Sequence, residues 1–315
     1  MNPPTYQELH IRIQELYYAK DYAQALQLLD RERKHFPDKL LPLCYYRACL
    51  AALLGDQRGA LSSLQEGLDA GGWYAKNDLR SDPDFVSLQE MPEFEALVAL
   101  SSEREDRDLA LVKPVMRVAE PAQSGKPLPA VFVLHGNGSN LEETYPHWSQ
   151  AAGLGWLVAV TQSTQLSRPH SYAWNDYDRG ARDLQDYYRK LSEQYAFDHA
   201  RVAVAGFSMG GGLAAWLALS GGIPVNGFFL FGPYLPDLKA VDPLISSAKN
   251  RGLRGYILQG DQDKECLTIA RGLHARLTQA GIPTKLEILP GIAHEYPQDF
   301  PHWLAQGLEF IDSGG

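Results

Sequence analysis

Six short apolar runs alternate with amphipathic stretches of helical period: AVFVLHG (130–136), GWLVAVTQ (155–162), RVAVAGF (201–207), GFFLFG (227–232), GYILQG (255–260) and KLEILPG (285–291). Runs this short, without regular polar alternation, suit strands buried on both faces, and strands separated by helices pair in parallel through crossovers. The pattern predicts an α/β architecture over residues 110–315: a mostly parallel sheet with helices on both faces.

In an open parallel sheet, reactive groups collect at the carboxyl ends of the strands. Here AVFVL is followed by HGNGSN, RVAVAG by FSMGG, GYILQ by GDQD and KLEIL by PGIAH. In GFSMGG, Ser208 stands at the centre of G-x-S-x-G, the spacing a strand-to-helix elbow needs because a strained nucleophile leaves no room for β-carbons on either side. The helix that follows brings unpaired N–H groups and a positive dipole end to the developing charge. Ser208 is the candidate nucleophile, His294 the general base, and Asp263 the carboxylate that holds the imidazole in one tautomer. Backbone N–H groups of Asn137 and Met209 are the candidate oxyanion hole, where losing one donor costs about 3 kcal/mol of transition-state stabilisation.

On these four motifs, residues 110–312 resemble an α/β-hydrolase, whose chain order Ser, Asp, His they share. HGNGSN resembles the family's oxyanion loop, GFSMGG its nucleophile elbow, GDQD its acid turn and GIAH its histidine loop. The nearest flavour is the phospholipase/carboxylesterase and dienelactone-hydrolase-like group. Dienelactone hydrolases carry a cysteine at the elbow where this chain has Ser208, a departure that argues against that lactone-specific activity. The resemblance implies a serine hydrolase acting on carboxylic esters or thioesters through an acyl-enzyme, without metal or cofactor. Two alternatives remain: a serine peptidase of the prolyl-oligopeptidase type, and a protein-interaction module with a vestigial hydrolase domain.

Other residues compete for these roles. Asp261 shares the acid turn, although the family spacing favours Asp263. His302 follows Pro301 at the start of a terminal helix and suits capping or packing. His274 reads as a helix residue at or near the surface, and His135 as a shaper of the pocket. The phrase RPHSYAWNDYDRG (168–180) gathers His170, Tyr172 and Trp174 after a strand. It reads either as a substrate pocket or as an Asp-capped helix start with aromatics packed beneath it.

Residues 1–100 follow a different period. Residues 17–39 read as a helical hairpin with Ala25, Leu26 and Leu29 on one stripe, and a similar phrase from Tyr45 places Ala60 35 residues after Ala25. That step approximates the tetratricopeptide repeat, so the segment resembles two such repeats ahead of the catalytic domain. A helical bundle without repeat function is the alternative. WYAKNDLRSDPDFVSLQEMPEFEALV then reads as a broken third unit ending in a short capping helix. Residues 101–109 read as a solvated junction, LALVKPVMRVAE (109–120) as an edge strand interrupted at Pro114, and PAQSGKPLP as a turn. The connection at 233–254 has room for little more than one helix, so the mouth of the site is open or covered by the helical domain.

A net charge of −9 at pH 7 argues against a nucleic-acid partner and leaves a small-molecule, acyl or protein partner. The start lacks a secretory pattern and no stretch is long and apolar enough to span a bilayer, so a cytoplasmic location is expected. Cys44, Cys49 and Cys266 have no metal-type spacing and read as buried thiols, with no base paired to Cys266.

Overall fold

The computed structural model describes residues 4–122 and 127–313. The chain divides into two compact units, Met1–Val112 and Lys113–Gly315. The part of the expected turn at 123–126 lies outside the described residues.

All regular elements of the first unit are helical: α1 (Tyr6–Tyr18), α2 (Tyr22–Glu32), α3 (Leu40–Leu53), α4 (Gln57–Asp69), α5 (Lys76–Ser81) and α6 (Pro92–Leu111). Two hairpins, α1–α2 and α3–α4, repeat one local design. Asp21 and Asp56 cap the second helix of each by accepting from Gln24 and Gly59 N–H, and Ala25 and Ala60 behind them are fully buried. The final helix is not short. α6 runs through 101–109, so that segment is helix rather than junction, and the helical unit extends to Val112. The charges there serve structure. Arg104 donates to the carbonyls of Leu68 and Gly72, Glu105 accepts from the N–H of Lys76, and Asp108 accepts from the Trp73 indole. Ser101, fully buried, bonds both the N–H and the carbonyl of Tyr74. The helix stops at Leu111, just before Lys113–Pro114, because a residue preceding proline is turned away from the helical region.

The second unit contains β1 (Met116–Ala119), β2 (Leu128–Leu134), α7 (Leu141–Trp148), β3 (Leu157–Thr161), β4 (Gln165–Arg168), β5 (Ser171–Ala173), α8 (Tyr177–Gln194), β6 (Phe197–Phe207), α9 (Met209–Ser220), β7 (Gly227–Phe231), α10 (Asp242–Ala248), β8 (Arg254–Gly260), α11 (Lys264–Gln279), β9 (Thr284–Leu289) and α12 (Phe300–Asp312). The large sheet runs β1-β3-β2-β6-β7-β8-β9, parallel except for β1, which pairs antiparallel with β3 at the edge. Only the second half of the expected 109–120 strand is therefore a strand; its first residues end α6.

Alternate residues of each central strand enter opposite cores. Phe132, Val204, Phe228 and Ile257 pack with α8, α9, α10 and α11, whereas Val133, Ala205, Phe229 and Leu258 pack with α7 and α12. With both faces covered, each fully buried Val, Leu or Phe contributes roughly 1.5–3 kcal/mol, and the strands read as unbroken apolar runs. The 233–254 connection holds one short helix, α10, preceded by a single 3-10 turn.

Candidate active site

Ser208 lies between β6 and α9 with φ 57° and ψ −124°, a conformation that costs a non-glycine residue about 1–3 kcal/mol. Backbone bonds hold it there: Ser208 N–H donates to Phe231 C=O (3.0 Å), while its own carbonyl accepts from Tyr234 and Gly212 N–H (2.9 and 3.0 Å). The neighbouring glycines make this crossing possible. A β-carbon on Gly206 would collide with the Gly210 backbone, and one on Gly210 with the carbonyls of Leu134 and His135. That second contact presses the start of α9 against the end of β2. Gly136 consequently lies beside Ser208, with a β-carbon there falling 3.4 Å from that of the serine.

His294, on the loop after β9, places Nε2 2.8 Å from Ser208 Oγ and Nδ1 2.6 Å from Asp263 Oδ2. Asp263 is also the N-cap of α11, its Oδ1 accepting from Cys266 N–H at 3.3 Å. Burial alone would raise the Asp263 carboxyl; the His294 hydrogen bond and charge, with Cys266, outweigh it and hold the pKa below the ordinary value. Asp261 has a different task, its Oδ1 accepting from Gly291 N–H (2.8 Å) and the Gln262 amide (2.7 Å). It pins the acid turn to the histidine loop and does not reach the imidazole.

Met209 is the first residue of α9 and Asn137 follows Gly136. Among the described residues, neither backbone N–H donates to a protein acceptor, leaving two donors free on the segments that flank Ser208. The Asn137 side chain is engaged, accepting from Trp174 N–H (2.9 Å) and donating to Asn175 (2.7 Å).

Among the other pocket candidates, His135, Trp174 and the backbone of Tyr172 brace the glycine loop. His135 is fully buried, with Nδ1 2.7 Å from Gly136 C=O and Nε2 facing the Ser163 N–H and the Gln162 amide at 3.2 and 3.1 Å. Burial pushes its pKa down to about 4, so the ring is neutral at pH 7. Trp174, also fully buried, donates from its indole to His135 C=O. Tyr172, half-buried, exchanges backbone bonds with Gly138 and Ser139 at 2.9 Å, so β5 is zipped onto the glycine loop. His170 is exposed at the tip of the β4–β5 hairpin, which the sequence pattern did not announce. Asp176 caps α8, accepting from Arg179 N–H. Within 168–180, then, Asp176 caps a helix and β5 braces the glycine loop, and His135 and Trp174 are fully buried, whereas Tyr172 is half-buried and His170 exposed. His302 bonds Gln306 within α12, and His274 reaches Thr284 C=O; neither approaches the serine.

Three contributors escaped the sequence reading. Phe207 stacks on His294 with ring centroids 4.6 Å apart, Gln259 points its amide at Asp263 (3.4 Å), and Cys266 Sγ lies 3.8 Å from His294 Nδ1. Phe207 stands inside the elbow motif, and Cys266 lies one helical turn past the capping aspartate, the signal that would have found it. The thiol therefore does adjoin the base. Asp263, Cys266 and His294 could converge on a metal ion, but burial beside Asp263 pushes the thiol pKa far up and Nδ1 already faces the carboxylate. No described helix is long and apolar enough to cross a membrane.

Residues 117–303, more than half of the chain, match the model of the dienelactone hydrolase family, and residues 5–108 match the A/B hydrolase-like, N-terminal domain. No curated protein matches. Among solved structures, an uncharacterized protein from Bacillus cereus ATCC 10987 is similar over 99% of this chain and 100% of its own, with 25% identity and a TM-score of 0.57. Esterase PE8 (18% identity, TM-score 0.52) covers 62% of this chain and 97% of its own. A putative dienelactone hydrolase from Klebsiella pneumoniae subsp. pneumoniae MGH 78578 (14%, 0.51) covers 63% and 98%. At such identities the last two speak to the fold.

Proposed function

This chain belongs to the dienelactone hydrolase family, and from that premise we propose that it is a serine hydrolase cleaving carboxylic esters or thioesters through an acyl-enzyme. The observation that carries this reading is the Asp263–His294–Ser208 relay, with its 2.6 and 2.8 Å spacings, on a strained elbow. Ser208 Oγ attacks the acyl carbon as His294 Nε2 takes its proton, and Asp263 stabilises the imidazolium. The N–H groups of Met209 and Asn137 hold the oxyanion. Collapse of the tetrahedral species returns the His294 proton to the departing alcohol or thiol. Water then attacks the acyl-serine with His294 again as base, releasing the acid and restoring the hydroxyl.

A panel of nitrophenyl esters and acyl thioesters, run beside aminoacyl anilides, tests the leaving-group class. The reading expects saturable ester or thioester turnover that Ser208→Ala abolishes; anilide turnover alone would replace it with the peptidase reading. For the N-terminal unit we retain a tetratricopeptide-like reading, supported by the matched caps Asp21 and Asp56 and the buried alanines Ala25 and Ala60.

A further inference from the structure

Phe207 stands immediately before the nucleophile in the elbow motif and is the last residue of β6. Strand alternation sends its half-buried ring to the same side of the sheet as Ala205, the side covered by α7 and α12. Pairing with β7 sets it opposite Phe231, and the two rings stack with centroids 5.0 Å apart. Two residues of the histidine loop also lie against it, His294 at 4.6 Å and Tyr296 at 4.9 Å. Glycines make room for the ring. A β-carbon on Gly136 of the glycine loop would fall 3.1 Å from Phe207 Cδ1, and one on Gly232, just after β7, 3.3 Å from Phe207 Cε2 and 3.4 Å from the His294 ring.

The contact meets a need of the imidazole. His294 is bonded through both ring nitrogens, to Asp263 at 2.6 Å and Ser208 at 2.8 Å, and bonds at two atoms leave a ring free to rock about the line joining them. An aromatic surface against one face, inclined by 30°, stops that motion. It also acts on charge, because an aromatic face carries the negative part of the ring quadrupole and favours a cation over a neutral partner. Few other charges compete. Among the described residues the polar contacts of the His294 ring are Asp263 and Cys266 at the start of α11 and Ser208 of the elbow; Glu295, next on its own loop, is exposed. Beyond Phe207, burial pushes the Tyr296 hydroxyl pKa up and that of His147, stacked on Tyr296 at 3.9 Å, down, so neither adds charge near pH 7.

Resting on the serine-hydrolase reading above, we propose that Phe207 is a positioning residue for the base: its ring fixes the tilt of the His294 imidazole and stabilises the imidazolium formed when the Ser208 proton is taken. The His294 side chain is 35% exposed, so the attraction belongs to the solvent-screened part of its range, equivalent to about half a pH unit in the protonation of the base. An aliphatic side chain of similar bulk fills the space without supplying it.

The test is the pH profile of kcat/KM for a nitrophenyl ester, with fluorophosphonate labelling rates and melting temperatures alongside, on full-length wild type, Phe207→Leu, Phe231→Leu and Phe207→pentafluorophenylalanine. Protonation of the base sets the acid limb of that profile. The proposal expects the limb to move to lower pH by about half a unit in Phe207→Leu, with a fall of about two- to five-fold on the plateau and labelling slowed in step. The fluorinated ring keeps the shape of phenylalanine but reverses its quadrupole, so it shifts the limb at least as far and carries the test if Phe207→Leu does not fold. Phe231→Leu removes a ring that stacks on Phe207 and not, among the described residues, on His294; it lowers the melting temperature and leaves the limb in place. An unmoved limb in the Phe207 variants, a move to higher pH, or an equal shift in Phe231→Leu would overturn the role of Phe207, while Ser208-dependent turnover by the wild type keeps the hydrolase reading standing. A wild type that neither turns over esters nor takes up the label removes that reading, and the role of Phe207 with it.

Discussion

Asp261 and Asp263 stand two residues apart in one turn, and their surroundings separate them. Asp263 shares one oxygen with His294 and gives the other to the first turn of α11; Asp261 spends its carboxylate on the Gly291 N–H and the Gln262 amide. Asp263→Asn should therefore lower kcat by about 10⁴, the cost of losing tautomer control, while Asp261→Asn stays within about ten-fold of the wild type. Steady-state kinetics on the two variants checks this, and the reverse ranking would reassign the acid. His135 supplies a pH signature. Its folded pKa is depressed to about 4, so its contribution is intact above the unfolded value of roughly 6.5. Below that the unfolded chain binds a proton that the folded chain refuses, and stability falls by up to about 1.4 kcal/mol per pH unit until about pH 4. The total is roughly 3 kcal/mol. Urea unfolding of His135→Gln should show a shallower decline between pH 6.5 and 4.5; parallel declines would assign the acid sensitivity elsewhere.

At the level of elements, the central strands were legible because burial on both faces leaves nothing but apolar side chains, as in AVFVL and GFFLF. The α6 helix was misread for the opposite reason: Arg104, Glu105 and Asp108 look like a solvated linker until their partners, the Leu68 and Gly72 carbonyls, the Lys76 N–H and the Trp73 indole, are in view. No local pattern could reveal contacts 29 or more residues distant. The β4–β5 hairpin escaped for a similar cause, since Tyr172 is held by the backbone of Gly138 and Ser139 rather than by a strand-like sequence. The elbow makes the sharpest structural prediction. Gly210→Ala drives a β-carbon into the Leu134 and His135 carbonyls, which cannot retreat without moving β2. We expect it to cost at least about 2 kcal/mol in chemical unfolding and to abolish turnover, whereas a well-tolerated, active Gly210→Ala would contradict the packing described.

For the molecule as a whole, residue order carried much of the site. Ser208, Asp263 and His294 were named from strand-end motifs, and those same three side chains meet at hydrogen-bond distance in the fold. The supporting layer was not legible, because Phe207, Gln259 and Cys266 act through packing and short contacts that residue type alone does not encode. The helical unit illustrates the same limit: its paired caps repeat visibly in sequence, but Asp82, Asp84 and Tyr17 become one feature only when folding brings residues 17 and 84 into contact. The central claim, that Ser208 is an activated nucleophile, is tested most directly by intact-mass detection of a fluorophosphonate adduct on wild-type protein, Ser208→Ala and His294→Ala. The account predicts one adduct on the wild type, none on Ser208→Ala, and strongly slowed labelling of His294→Ala. A folded wild-type protein that takes up no adduct, or an adduct that persists in Ser208→Ala, would contradict it.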